Sequence, residues 1–128
     1  MSGSLCLLDT SVCIEILRGN PLPEEWKAYR FGLSSVVEAE LWAGVYHRGG
    51  ERERRKVEKL LGATEIFPFE SKAAEATGKV LGELANLGKP IGDFDSQIAG
   101  HALAHKTTLA TRNPEHFARI NGLKLLVW

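Results

Sequence analysis

Cysteine is scarce in this chain: Cys6 and Cys13 are the only two among 128 residues. They lie in a predicted strand and the helix after it and match no zinc-ligand spacing. A disulfide or zinc framework is therefore excluded, and reduced packing residues are expected. Charge of one sign is missing too. Sixteen Lys and Arg balance sixteen Asp and Glu, which leaves no overall field to attract nucleic acid. No apolar run approaches the roughly 18 residues that a membrane span needs. The start, Met1-Ser2-Gly3-Ser4, has no basic segment followed by a long apolar one, so a cytoplasmic protein without membrane contact is expected. Walker A and Gly-x-Gly-x-x-Gly patterns are absent, which argues against nucleotide cradling by a glycine loop. Repeats, low-complexity tracts and linkers are absent as well, and the length fits a single domain over 1–128 whose core needs no staples.

What is present is an alternation of strand and helix signals, the pattern of an α/β fold with a parallel sheet and helices on both faces. Strands are expected at 5–8, 31–34, 64–67, 108–110 and 123–127. Helices are expected at 11–18, closing at Gly19-Asn20-Pro21, then at 36–47, 51–61, 70–87 and 93–105, with a short one from Pro114. Residues 22–30 read as a short helix and connection containing Trp26. Ser35-Val36-Val37-Glu38 reads as a capping box that opens helix 36–47. Ala73, Thr77, Val80, Leu81, Leu84 and Leu87 recur along one face of helix 70–87, which assigns that face to the core.

Four carboxylates stand where apolar or capping residues would be ordinary. Asp9 ends the apolar run Leu5-Cys6-Leu7-Leu8, so it sits at the carboxyl end of a buried parallel strand, the edge where open α/β sheets bind ligands. A plain helix cap is the rival role for Asp9, although Thr10 and Ser11 are equally able to cap. Asp95 shares the face of Ile98 and Ala99, and a carboxylate turned inward needs a partner. Glu38 and Glu40 are roughly 200° apart around a helix, so only one of them serves a common site. Glu40 lies on the small, apolar side with Val36, Val37 and Gly44, and Glu38 is taken by the capping box. Asp93 is either a helix cap or a further site residue. Convergent carboxylates in a cleft repel one another, and a divalent cation with oxygen ligands relieves this, so a Mg²⁺ or Mn²⁺ site is expected.

Other motifs carry less. His101 and His105 share a helical turn, but no glutamate follows His101 as in zinc proteases, and surface or partly buried histidines are expected. The run from Glu51 to Lys59 is expected to be a solvated helix face with i,i+4 pairs, a phosphate-contacting patch being the alternative.

Taken together, the segments resemble the PIN-domain ribonucleases, specifically the VapC toxins of bacterial toxin–antitoxin pairs. The likeness covers almost the whole chain: Leu8-Asp9-Thr10-Ser11, Glu40-Leu41 with Gly44, Asp95 with Ile98-Ala99, Thr111-Arg112-Asn113 with Phe117, and Gly122-Leu123 to Trp128. It implies a PIN-like three-layer αβα fold around a central parallel sheet. It also implies a metal-dependent endoribonuclease, frequent homodimerisation and inhibition by a cognate VapB-like antitoxin. By matching position, Asp9, Glu40 and Asp95 correspond to the family's acidic metal-binding core, with Asp93 a neighbouring acidic residue. Many relatives carry aspartate where this chain has Asn113. An asparagine carbonyl can hold a metal-bound water but adds no charge, so a single tightly held ion is expected.

The chemistry expected of such a site is hydrolysis of a phosphodiester. A carboxylate-held cation would neutralise the scissile phosphate and acidify a water for in-line attack, leaving a 5′-phosphate and a 3′-hydroxyl. Thr10 or Thr111 would orient the acidic residues, and Arg112 is a candidate phosphate clamp. Trp26 and Trp42 are candidate anchors for an antitoxin segment, with core packing as the rival role. Two other functions are compatible with the pattern: a metal-free PIN domain that binds RNA or protein, and a phosphoacceptor receiver domain.

Overall fold

Leu5–Leu8 form the central strand of a five-stranded, all-parallel sheet. The computed structural model describes residues 3–128; Met1 and Ser2, part of the N-terminal stretch read above, lie outside them. In chain order the elements are β1 (Leu5–Leu8), α1 (Thr10–Leu17), a 3₁₀ helix (Glu24–Ala28), β2 (Arg30–Ser34), α2 (Ser35–His47) and α3 (Glu51–Gly62). They continue with β3 (Glu65–Phe67), α4 (Ser71–Asn86), α5 (Asp93–Ala104), β4 (Thr108–Thr111), α6 (Pro114–Phe117) and β5 (Leu125–Val127). The strand order is β3-β2-β1-β4-β5. Among the described residues no helix is long and apolar enough to cross a membrane.

This order dictates the layers. Crossovers between parallel strands are right-handed, so α1, α2 and α3, which carry the chain outward through β2 to β3, cover one face. The chain then returns to the far side of β1, which places α4, α5 and α6 on the other. The packing agrees: α3 rests on α1 and α2, α4 lies along α5, and α6 touches α5 and β5. A strand covered on both faces has to be apolar throughout, and Cys6, Leu7 and Leu8 are buried beside Leu33, Leu109 and Ala110. The α4–α5 contact is close because position 100 is glycine. A β-carbon there would stand 2.2 Å from Thr77 Oγ1 and 2.7 Å from that residue's backbone.

Four expectations are corrected or narrowed. The cap of α2 is Ser34, whose Oγ accepts from Val36 N at 3.1 Å. Ser35 instead accepts from the Phe69 amide, and Glu38 accepts from Trp42 Nε1 at 3.3 Å, so no capping box closes. Strand β2 begins one residue earlier than the pattern implies, because Arg30 pairs with Leu5 of β1. Trp26 is buried against Phe31 and Trp128, so core packing is its role and it is no surface anchor. His101 is completely buried, while His105 is exposed, because the α5 face bearing His101 is closed by Ser34 and Phe69.

Candidate active site

The direction of chain progression reverses between β1 and β4, and the crevice at the carboxyl ends of such strands is where doubly wound sheets bind ligands. Asp9 immediately follows β1 and Thr111 closes β4. Asp9 caps α1 through Val12 N at 3.0 Å, the role also open to Thr10 and Ser11, and does so while turned into the crevice. Ser11 Oγ donates to the same oxygen, Oδ1, at 2.6 Å, and Thr111 Oγ1 donates to Oδ2 at 2.5 Å.

Asp9 is buried, and burial raises its pKa. The hydrogen bonds from Ser11, Thr111 and Val12 oppose that rise, and the charge of Asp95 adds to it. Glu40, half-buried on α2, follows the same pattern. Burial raises it, the hydroxyl of Thr10 at 2.6 Å opposes the rise, and Asp95 and Asp9 push it further up. The three carboxylates therefore feel one another across a shared crevice. The Cys13 thiol beneath them is raised by burial and by the charges of Asp9 and Glu40, which keeps it protonated and unreactive.

Asp95 sits in the first turn of α5 with its side chain 30% exposed, at the rim rather than in the core. Its Oδ2 lies 2.9 Å from His116 Nδ1 of α6. Asp93 is exposed and does not cap the helix; Gly92 holds the cap position, and Asp93 starts the helix proper. Asn113 follows Arg112 in the turn after β4, where its backbone N–H donates to Thr111 Oγ1 at 2.9 Å. Arg112 turns its guanidinium to Glu15 at 2.9 Å. Glu15 and His116 were not singled out from sequence, and Ser11 was named only as a possible cap and within the Leu8–Ser11 segment. Glu15 alone left a signal, as a carboxylate among Val12, Cys13, Ile14, Ile16 and Leu17.

The donor set suits a hard cation. Among the described residues, Glu40 Oε2 and Asp95 Oδ1 have no protein hydrogen-bond donor, and Asp9 uses three of its roughly four acceptor sites. No three His, Cys, Asp or Glu side chains among them form a closed metal cage. Mg²⁺ binds through one or two carboxylates and keeps several waters, so open carboxylate oxygens meet its needs without a cage. A cavity of about 880 Å³ lies elsewhere, against Phe69, His101 and His105. Charge, not volume, marks the chemistry here.

Comparison with known proteins follows the same lines. A family model described as PIN domain matches residues 6–123. The chain is 32% identical to the tRNA(fMet)-specific endonuclease VapC of Shigella flexneri, over 95% of this chain and 96% of that protein. It is 34% identical to ribonuclease VapC2 of Rickettsia felis, again over 95% of this chain and 96% of that protein. The solved structure of DNA-bound VapBC from Salmonella typhimurium matches it with a TM-score of 0.88 at 30% identity, covering 100% of this chain and 99% of that one. Agreement that runs from Cys6 to Leu123, and over nearly the whole of both relatives, is more than a shared local motif: the chain belongs to the PIN-domain family, in its VapC ribonuclease branch.

Proposed function

We propose that this chain is a Mg²⁺- or Mn²⁺-dependent endoribonuclease and the toxin of a toxin–antitoxin pair. It is read as one PIN domain over 1–128, acting in the cytoplasm as a homodimer and silenced by a VapB-like antitoxin. The observation that carries the reading is Asp9 at the switch point, buried and held by three donors while Asp95 bears on it electrostatically and both bear on Glu40. The names of its relatives supply the substrate class, since they are called endonuclease and ribonuclease.

Asp9, Glu40 and Asp95 would hold the ion, which supplies charge neutralisation of the scissile phosphate and an acidified water. The chain's own groups do the positioning. Ser11 and Thr111 fix the plane of the Asp9 carboxylate, and Thr10 fixes Glu40. Arg112, beside Thr111 and 45% exposed, would meet the RNA backbone. Asn113 offers a neutral carbonyl for a water, and Asp93, exposed at the start of α5, would join if a second ion arrives with the RNA phosphate.

The test is to map new 5′ ends of cellular RNAs after a brief pulse of expression, beside an Asp9→Asn variant. New 5′-phosphate ends and growth arrest are expected for the wild type only, with relief when the adjacent small reading frame is co-expressed. Unimpaired growth at high soluble expression, with no new ends, would remove the toxin reading.

A further inference from the structure

Glu15, in the middle of α1, is a carboxylate that the cleavage chemistry leaves unused, and it is only 8% exposed. Its Oε2 accepts from Arg18 Nη1 at 2.6 Å and from Arg112 Nη1 at 2.9 Å, and its Oε1 accepts from Asn20 Nδ2 at 2.6 Å. Burial raises its pKa, but the bonds from Arg18 and Asn20 and the two guanidinium charges outweigh that and hold it below the usual carboxylate range. One negative charge thus gathers two positive ones, and the cluster keeps a net positive charge. Arg18 is 67% exposed and Arg112 45%. Each commits one nitrogen to Glu15 and leaves most of its five donors free.

The cluster adjoins the candidate active site through backbone. The Arg112 amide donates to Ser11 Oγ at 3.1 Å, and Ser11 in turn donates to Asp9. The two guanidinium groups border a groove of about 290 Å³ together with Ser11, Ile14 and Asn113. Arg112 is steadied further by the ring of Trp128, 6.0 Å from its guanidinium carbon. Side-by-side planar forks match the oxygens of a phosphate. Without the carboxylate between them, two like charges would splay apart, and each long side chain would have to be ordered anew on binding.

We propose that Glu15 is a positioning residue that presets Arg18 and Arg112 as a two-guanidinium clamp for the RNA phosphate adjoining the one cleaved. This rests on the endoribonuclease reading above.

The test is steady-state cleavage of a short single-stranded RNA with Mn²⁺, using Arg18→Ala, Glu15→Gln and their combination with Arg112→Ala. Arg18→Ala should raise KM about tenfold, the worth of a charge-assisted contact, with kcat nearly held. It should also lower the slope of log affinity against log salt by about 0.7. Glu15→Gln decides the role. Bulk electrostatics predicts tighter RNA binding when an acid is removed, whereas positioning predicts a higher KM, and one that vanishes once both arginines are already alanine. A lowered KM for Glu15→Gln, or a wild-type KM for Arg18→Ala, would overturn the clamp. Should Glu15→Gln not fold, Arg18→Lys replaces it: charge is kept and the fork lost, so a raised KM supports the proposal and an unchanged one sinks it. A wild-type KM with lost antitoxin inhibition in Arg18→Ala would assign the pair to a protein partner and also overturn it. The same RNA bound by Asp9→Asn, with and without Arg18→Ala, separates the two readings. Arginine-dependent binding in a chain whose wild type cleaves nothing would keep the clamp and discard the nuclease.

Discussion

Thr111 Oγ1 lies 2.5 Å from Asp9 Oδ2, a hydrogen bond between residues 102 positions apart that joins the ends of two neighbouring parallel strands. The same oxygen accepts from the Asn113 amide, so its proton is committed to Asp9. Thr111→Val keeps the shape and loses that proton. Cleavage is expected to fall roughly 10- to 100-fold, as for other groups that orient a metal ligand, while Thr111→Ser stays near wild type. Loss in Thr111→Ser with Thr111→Val near wild type would show that the methyl group, not the hydroxyl, matters.

Neutralising Asp9, Glu40 or Asp95 should each cost roughly 100-fold or more in cleavage, comparable with losing a key transition-state stabiliser. Cleavage that survives excess EDTA would sink the metal mechanism.

Stability gives a second view of Asp9. Its folded pKa is raised, chiefly by burial, so its favourable contribution is present at low pH and lost as pH rises through that value. At neutral pH in EDTA, Asp9→Asn should therefore melt no lower than wild type. Added Mn²⁺ should raise the melting temperature of the wild type alone; an equal rise in both would place the ion elsewhere.

Asn113 bears on metal count. Three carboxylates carry charge for one divalent ion, so calorimetry of the RNA-free wild type should show one tight Mn²⁺ site. Asn113→Asp should tighten it and preserve or raise activity. Two equally tight sites in the wild type would bring in Asp93 or another acid.

His101 sets the acid limit. Burial, helped by His105, holds its pKa down to about 4, and its Nε2 has no partner among the described residues. The unfolded chain binds its proton near pH 6.5, so between those values the unfolded state holds more protons. Stability from this residue is full above about pH 6.5 and falls as pH drops toward 4. Asp9 and Glu40, with raised pKa values, act in the opposite sense, so the comparison needs His101→Gln. Thermal melts across this range should fall more steeply for wild type than for that variant; parallel curves would contradict the assignment.

Much of the architecture is readable from periodicity, because an apolar run four residues long or a 3.6-residue stripe reports burial locally. Strand β1, the long α4 and the placement of Asp9 at a strand end follow from such patterns. Boundaries do not. Ser34 and Ser35 have the same side chain, and only the pairing of Ser34 with Phe67 makes the first the cap. Asp93 and Gly92 were separated by backbone geometry in the same way, and Trp26 by the arrival of Trp128 from the far end of the chain.

The sequence by itself determined which groups are available: a strand-end aspartate, two helix-borne acids, and threonines beside them. Hydrophobic patterning is a property of neighbouring residues, and acids that break it stand out without a structure. Tertiary structure alone decided the pairings, Thr111 with Asp9, Thr10 with Glu40, His116 with Asp95, and Arg18 and Arg112 on Glu15. A hydrogen bond or ion pair reaches only a few ångströms. Most of these partners are distant in sequence, and the strand order and right-handed crossovers bring them together.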